Sequence, residues 1–436
     1  MLSARSFPSV SSGRFFSLSR LRDLPRALGR ALVLGLLLPL AAHAAAGDYD
    51  IDGVPTAAGN LQADIAALGG GHHVIELNTD VSVTGGLDID GKNITFNLNG
   101  RKLEISNDAV SGAGLHVHGG GKVDYTPVPA GAGSFTVSST GGNALAIEDD
   151  GSSCTLTGVQ VNTSDGHAAI LSADLTSVTV NGNVQALGAG DIGLIAGSGS
   201  KVTVNGNVSA ADGDGMGAFA NTVVTINGDI LATGGSDRDA IYSDLGANVI
   251  VHGNVIAGGA SRGVSAWENS TVLVTGDIAT TNGAAIYADE AATVTVNGKV
   301  DASFTTTASG DVAGVMAYGG ATVLIKKDVA VTSVVPDRYA GVAACGGGTV
   351  TIDGTLTAQA PYIKVNGVTK TPADAVPSTK ANYENMYSNG TSIVWVTLRS
   401  PPDTAAAAPV PTLGPALLAL LVPLLGIGVG VRLRRF

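Results

Sequence analysis

Apolar and polar residues alternate in short bursts along most of this chain, and the bursts recur. Val178-Thr179-Val180-Asn181-Gly182-Asn183-Val184 returns at 202–208 (VTVNGNV), 224–230 (VTINGDI), 249–255 (VIVHGNV), 272–278 (VLVTGDI) and 294–300 (VTVNGKV). Looser copies follow at 323–329 (VLIKKDV) and 350–356 (VTIDGTL). The first valines are spaced by 24, 22, 25, 23, 22, 29 and 27 residues. A self-similar period of this size marks a repeat architecture. Valines at alternate positions put two side chains on one face of a short strand. The Gly-Asn or Gly-Asp that follows predicts a turn, on the expectation that Gly takes positive φ there.

Each repeat carries a second apolar run: Gly193-Leu194-Ile195-Ala196, Gly217-Ala218-Phe219-Ala220, Ala240-Ile241-Tyr242, Gly263-Val264-Ser265-Ala266, Ala285-Ile286-Tyr287-Ala288, Gly314-Val315-Met316-Ala317 and Gly341-Val342-Ala343-Ala344. Nine residues separate the start of this run from the next VxV in six of seven cases, while the other side of the repeat varies from 13 to 20. One corner is therefore held to length and the opposite side takes insertions, the longest at 301–313 and 330–340. One repeat amounts to about three short strands, too little to bury its own apolar face. Stacking coils about 4.8 Å apart in parallel register buries a continuous core.

Outside the regular array (178–356) the pattern changes. Residues 47–125 predict an N-terminal cap and first coils. Leu61 to Leu68 places apolar residues at i, i+4 and i+7, a short amphipathic helix ended by Gly69-Gly70-Gly71. Such a helix covers the open end of the stack, whose strand edge otherwise invites pairing. Strands follow at 74–77, 81–83, 87–89, 94–98 and 103–105. Residues 126–177 form irregular coils with a Pro127/Pro129 loop. Residues 357–400 predict a C-terminal cap in which Trp395 plugs the last coil. Residues 401–409 are a Pro/Ala linker.

Composition agrees with an all-β repeat protein: 61 Gly in 436 residues, 4% aromatic and 14% charged. The formal charge is −12. Setting aside residues 1–44, with six Arg and one Asp, and the last five, with three Arg, leaves 15 basic and 35 acidic residues, a net of −20. Such a surface repels polyanions, so nucleic acid is not an expected partner. Residues 1–46 have the form of an export signal: a basic segment (Arg14, Arg20, Arg22, Arg26, Arg30), an apolar stretch at 31–42, and Ala42-His43-Ala44 or Ala44-Ala45-Ala46 as cleavage site. At the other end Val410-Pro411-Thr412-Leu413 leads into an uncharged, apolar stretch at 414–431, then Arg432-Leu433-Arg434-Arg435-Phe436. That stretch is long enough for a transmembrane helix with the arginines on the cytoplasmic side.

These segments resemble known families. Residues 61–105, with Gly91-Lys92-Asn93-Ile94-Thr95-Phe96-Asn97-Leu98-Asn99-Gly100, look like the opening of right-handed parallel β-helix proteins. The VTVNGNV array is similar to the passenger repeats of bacterial surface and autotransporter-like adhesins, over residues 50–360. The tetrapeptide, apolar stretch and basic tail resemble the IPTL-CTERM class of sorting signals, with Val410 in place of Ile. The resemblance implies a right-handed parallel β-helix with an N-terminal capping helix and a C-terminal transmembrane helix. It also implies export to the envelope of a Gram-negative bacterium and a membrane sorting enzyme as partner.

The candidate chemistry is sparse. Cys154 and Cys345 lie about eight coils, roughly 35–40 Å, apart, too far for a disulfide, and are expected as small core residues. Asn183, Asn207, Asp229, Asn254 and Asp277 fall at one turn and predict a hydrogen-bonded ladder. Asp191, Asp212, Asp214, Asp237, Asp239, Asp311 and Asp337 are expected as a solvated acidic edge. Among them Asp212, Asp214, Asp237 and Asp239, like Asp149-Asp150, offer oxygen ligands that Ca²⁺ would take. No other cofactor is expected. Asn78-Thr79-Asp80 is similar to the first catalytic motif of polygalacturonases, but the later elements do not follow: Asp149-Asp150 stands alone and Gly71-His72-His73 is misplaced. His116 and His118 share one face of a strand and lack a third ligand. Tyr242 and Tyr287 occupy one position in their repeats, with Phe219 as the earlier equivalent and Trp267 nearby, a pattern that fits a platform for a carbohydrate or cell-surface ligand and a structural aromatic stack equally well. The reading is a non-catalytic adhesin-like or structural rod. The alternative is a polysaccharide lyase or hydrolase on the same fold, whose carboxylates would converge at the two insertions.

Overall fold

The computed structural model describes residues 47–396 apart from 57–59, 110–111, 128–132, 164, 307–312, 336–337, 360 and 379, with backbone alone at 236 and 237. The segments 1–46 and 401–436, with Val410, Pro411, Thr412 and Leu413, lie outside the described residues, as do Asp311 and Asp337.

The chain is a parallel β-solenoid. The coil beginning at Lys201 shows how the sequence builds it. Lys201–Val204 lies on a first face (A) and buries Val202 and Val204. Val208–Asp212 lies on a second face (B) and buries Val208 and Ala210. Met216–Ala218 lies on a third face (C) and buries Met216 and Ala218. Each strand pairs in parallel with its equivalents in the coils before and after, in register: Val178, Val202, Val224, Val249, Val272, Val294, Val323 and Val350 form one continuous column. Among the described residues face B carries twelve strands and face C thirteen. Register holds through 126–177 as well, where Ser134–Ser139 pairs residue for residue with Lys102–Asn107. A buried valine contributes about 2 kcal/mol over an exposed one, more than the net ~1 kcal/mol of a hydrogen bond. The inward column therefore dominates the stability, and the ladders set the register.

The two fixed turns work differently from the sequence expectation. At the A-to-B turn, Gly182, Gly206, Gly228, Gly253, Gly276 and Gly298 do not have positive φ. They are glycine because a Cβ would collide with the carbonyl of the coil before: at Gly206 it would stand 2.4 Å from Gly182 O, and at Gly253 2.4 Å from Gly228 O. Beside them a side-chain oxygen reaches the next coil's backbone. Asn183 Oδ1 accepts from Asn207 N (2.9 Å), Asn207 from Asp229 N (2.8 Å), Asp229 from Asn254 N (2.7 Å), Asn254 from Asp277 N (2.9 Å) and Asp277 from Lys299 N (2.9 Å). A second column, unforeseen, joins amide to amide: Asn205 Nδ2 donates to Asn181 Oδ1 (2.7 Å) and Asn227 Nδ2 to Asn205 Oδ1 (2.6 Å).

Consecutive pairs of left-handed residues recur at the C-to-A corner: Leu245-Gly246, Glu268-Asn269, Glu290-Ala291, Gly319-Gly320 and Gly346-Gly347. Each pair is closed by a bond across the turn, as from Ser270 N to Trp267 O (2.9 Å). A two-residue turn with both φ positive has no room for insertion, which explains the constant nine-residue step. The single exception in the sequence was a misplaced frame. Met216 aligns with Leu194 and Ile241, so the run starts at Gly215, nine residues before Val224.

Both ends of the stack abandon parallel pairing. At the N-terminus Tyr49–Ile51 runs antiparallel to His72–Leu77. The capping helix spans Leu61–Ala67; Asn60 Oδ1 accepts from Ala63 N, and Leu61 and Ile65 face the core. At the C-terminus Asn385–Asn389 runs antiparallel to Ser392–Val396. Trp395 does not plug the last coil. Ser392–Val396 turns Val394 and Val396 inward and Trp395 outward, under Lys380 Nζ at 4.6 Å. Tyr387 takes the buried place and packs edge-on against Tyr362. No helix among the described residues is long and apolar enough to cross a membrane.

Candidate functional site

The outer side of face C carries the molecule's chemistry. Register alignment gives it two outward columns. The first runs Asp88, His116, Ala146, Leu171, Ile195, Gly217, Tyr242, Ser265, Tyr287, Met316. The second lies two residues further along each strand. Phe219 therefore aligns with Asp244, not with Tyr242 as expected from the sequence. Five successive coils place one aromatic each, alternately in the second and first column: Phe219, Tyr242, Trp267, Tyr287, Tyr318. Where the ring is in the second column, the first holds Gly217, Ser265 or Met316. Where it is in the first, the second holds Asp244 or Asp289. The rings meet as a pair and a trio, with centroids 5.5 Å apart for Phe219 and Tyr242, 4.8 Å for Trp267 and Tyr287, and 5.6 Å for Tyr287 and Tyr318. All five are half-buried, each leaving part of its ring to solvent.

Charged groups flank this zigzag. Tyr242 Oη donates to Asp244 Oδ2 and Tyr287 Oη to Asp289 Oδ2, both at 3.2 Å. Burial first, then these carboxylates, push both phenols well above their ordinary range. The Arg262 guanidinium lies 4.7 Å from the centre of the Tyr287 ring. Ser265 Oγ donates to Asp239 Oδ1 (2.8 Å). Glu268 is raised by desolvation and by its neighbours Asp244 and Glu290.

The expected acidic edge divides. Asp212 is exposed. Asp214 keeps about a quarter of its side chain exposed (26%), takes a bond from Asp239 N (2.8 Å) and faces Arg238 at 3.9 Å; burial raises its carboxyl above the ordinary range. The side chain of Asp237 lies outside the described atoms. Asp191 is not on a solvated edge: it is fully buried and accepts from Thr163 N and Oγ1, His167 N and Gly188 N. Four donors account for a buried carboxylate as a turn clamp. The Asn78-Thr79-Asp80 motif is likewise spent on structure, bonding to Gly47, Asp48, Asp50 and Lys102. Cys154 is buried on face A between Val123 and Val178. Cys345 departs from the core expectation, being half-buried at the start of a left-handed turn.

Near the N-terminal end of face C a second group converges. Leu87–Asp90 pairs with Leu115–His118, so Asp88 stands beside His116 and Asp90 beside His118. Asp88 Oδ1 lies 3.1 Å from His116 Nδ1 and 3.0 Å from His118 Nε2. The imidazoles stack with centroids 4.3 Å apart. The carboxylates of Asp88 and then Glu148 raise His116 to about 9, and His116 in turn holds Asp88 and Glu148 below the usual carboxylate range. Among the described residues this is the one group of His, Cys, Asp or Glu whose donor atoms converge for an ion.

No family model matches the chain, and no curated protein and no solved structure is similar to it. What the exterior does is therefore argued from its own geometry. On face B a shallow groove of about 560 Å³ is lined by hydroxyl and amide side chains, among them Ser106, Ser138, Gln160 and Gln185, and Glu104 is its single carboxylate.

Proposed function

We propose that the protein is an exported, surface-attached, non-catalytic β-solenoid of adhesin-like or structural role, holding carbohydrate on the exterior of face C. The observation that carries this is the placing of one half-buried aromatic on each of five successive coils, flanked by Asp239, Asp244, Asp289 and Arg262. Rings set along a column offer apolar faces to successive sugar rings, and fixed carboxylates and a guanidinium accept from and donate to their hydroxyls. The repeat spacing suits a repeating ligand. A right-handed winding, an export signal in 1–46, and membrane attachment with sorting at Val410, Pro411, Thr412 and Leu413 belong to the same proposal.

The enzymatic alternative has less support. Hydrolysis needs two carboxylates flanking the scissile bond; the face B groove offers Glu104 alone, and the insertions at 301–313 and 330–340, where the alternative places its carboxylates, lie partly outside the described residues. The test is glycan-array binding by the full chain, with and without Ca²⁺, and a reducing-sugar assay on the same samples. Binding without sugar release is the expected result. Release of reducing ends overturns the non-catalytic reading, and loss of binding in chelator assigns Ca²⁺ to the acidic turns.

A further inference from the structure

The cluster at Asp88, His116 and His118 lies five strands along face C from Tyr242 and takes no part in the aromatic column. We propose that it binds a divalent transition-metal ion, held by Asp88 Oδ1, His116 Nδ1 and His118 Nε2, with the remaining coordination open to water.

Three observations support this. The first is spacing. Ligands about 2.0–2.1 Å from a tetrahedral ion stand about 3.3–3.4 Å from one another. The carboxylate oxygen already lies 3.1 and 3.0 Å from the two nitrogens, and all three donors fall within 4.8 Å of each other. The two oxygen–nitrogen separations need only a few tenths of an ångström of expansion to admit an ion.

The second observation is the outer ring of carboxylates. A metal-bound imidazole uses one nitrogen for the ion and offers the other N–H to a carboxylate, which fixes its tautomer. Here each ring has that second partner. His116 Nε2 faces Glu148 Oε2 and His118 Nδ1 faces Asp90 Oδ1, both at 3.7 Å. The two rings coordinate through different nitrogens, and a different carboxylate faces the remaining nitrogen of each.

The third is preorganisation. Asp88 is clamped from the capping helix: Gln62 Oε1 accepts from Asp88 N (2.7 Å), and Gln62 Nε2 donates to Asp88 O (3.1 Å). Three carboxylates around two imidazoles attract a dication. Two nitrogen donors select zinc, cobalt or nickel over calcium and magnesium, which take oxygen.

The experiment uses tag-free full chain stripped with chelator. Cobalt(II) is followed by visible absorption and zinc(II) by calorimetry. One ion per chain binds in the micromolar range, and Ca²⁺ does not compete with it. His116→Ala, His118→Ala and Asp88→Asn each weaken zinc binding by about tenfold or more, and Glu148→Gln by a smaller factor. A His72→Ala/His73→Ala control binds as the parent does. All these side chains lie outside the core, and far-UV circular dichroism checks that the coils persist. Absence of saturable cobalt and zinc uptake by the parent overturns the proposal. So does uptake unchanged in the isosteric Asp88→Asn and in a His116→Ala/His118→Ala variant.

Discussion

Asn and Asp both serve at 183, 207, 229, 254 and 277 because the turn uses one side-chain oxygen and nothing else common to all five. Asn207→Asp is therefore expected to leave the urea midpoint nearly unchanged. Asn207→Ala strands the Asp229 N–H and costs about 1 kcal/mol; equal stability of the two variants would refute this division. Asp214 makes a pH prediction. Its carboxyl is raised by burial, so its contribution is most favourable below the ordinary value near 3.8 and is lost as pH rises through the raised value. Asp214→Asn keeps the Oδ1 that accepts from Asp239 N. The variant should match the parent in acid and exceed it at neutral pH; the reverse order in denaturation at the two pH values would contradict the sign. At this scale the sequence was partly legible. LDID at 87–90 and LHVH at 115–118 share one pattern, and laying one over the other puts Asp88 against His116. Searching for ligands by local spacing hid it, since the third donor is one coil away. Asp191 was illegible because an exposed and a clamped aspartate look alike in a loop.

Turns show where element-level inference stops. Glycine was legible as a turn residue, but it serves two different physical needs. Gly206 is required by the close approach of Gly182 O, whereas Gly246 and Gly320 take left-handed backbone. The left-handed corner also accommodates Leu245, Glu268, Glu290 and Ala291, which carry a steric cost that glycine does not. Converting Glu290-Ala291 to Asn-Gly, the pair best suited to such a turn, should stabilise by roughly 1 kcal/mol and raise the melting temperature. A fall in melting temperature would mean that the turn is not left-handed. Strand positions were legible because the core demands alternation at every coil. The frame slip at Gly217 arose because Gly-Ala-Phe-Ala imitates the run that begins two residues earlier with Gly215-Met216, and only pairing to neighbouring coils resolves it.

The whole molecule divides into an inside that the sequence specifies and an outside that it does not. The inward columns of Val, Ile and Ala repeat in register along the column, so the parallel solenoid follows from periodicity. The outward columns obey no such rule. The aromatic zigzag exists only across coils, where each ring takes the space left by a Gly, Ser or Met beside it, and no single repeat displays it. The caps were legible where a helix announced itself at 61–67 and misleading at Trp395, which the alternation of its own strand turns outward. The central claim is that the aromatic face holds a glycan without cleaving it. Trp267 and Trp395 are the chain's two tryptophans, so a Trp395→Phe variant makes Trp267 the sole emitter in the middle of that face. Its fluorescence should change saturably on titration with a bound oligosaccharide while no reducing ends form. Binding that leaves Trp267 emission unaltered, or release of reducing ends during the titration, would contradict the account.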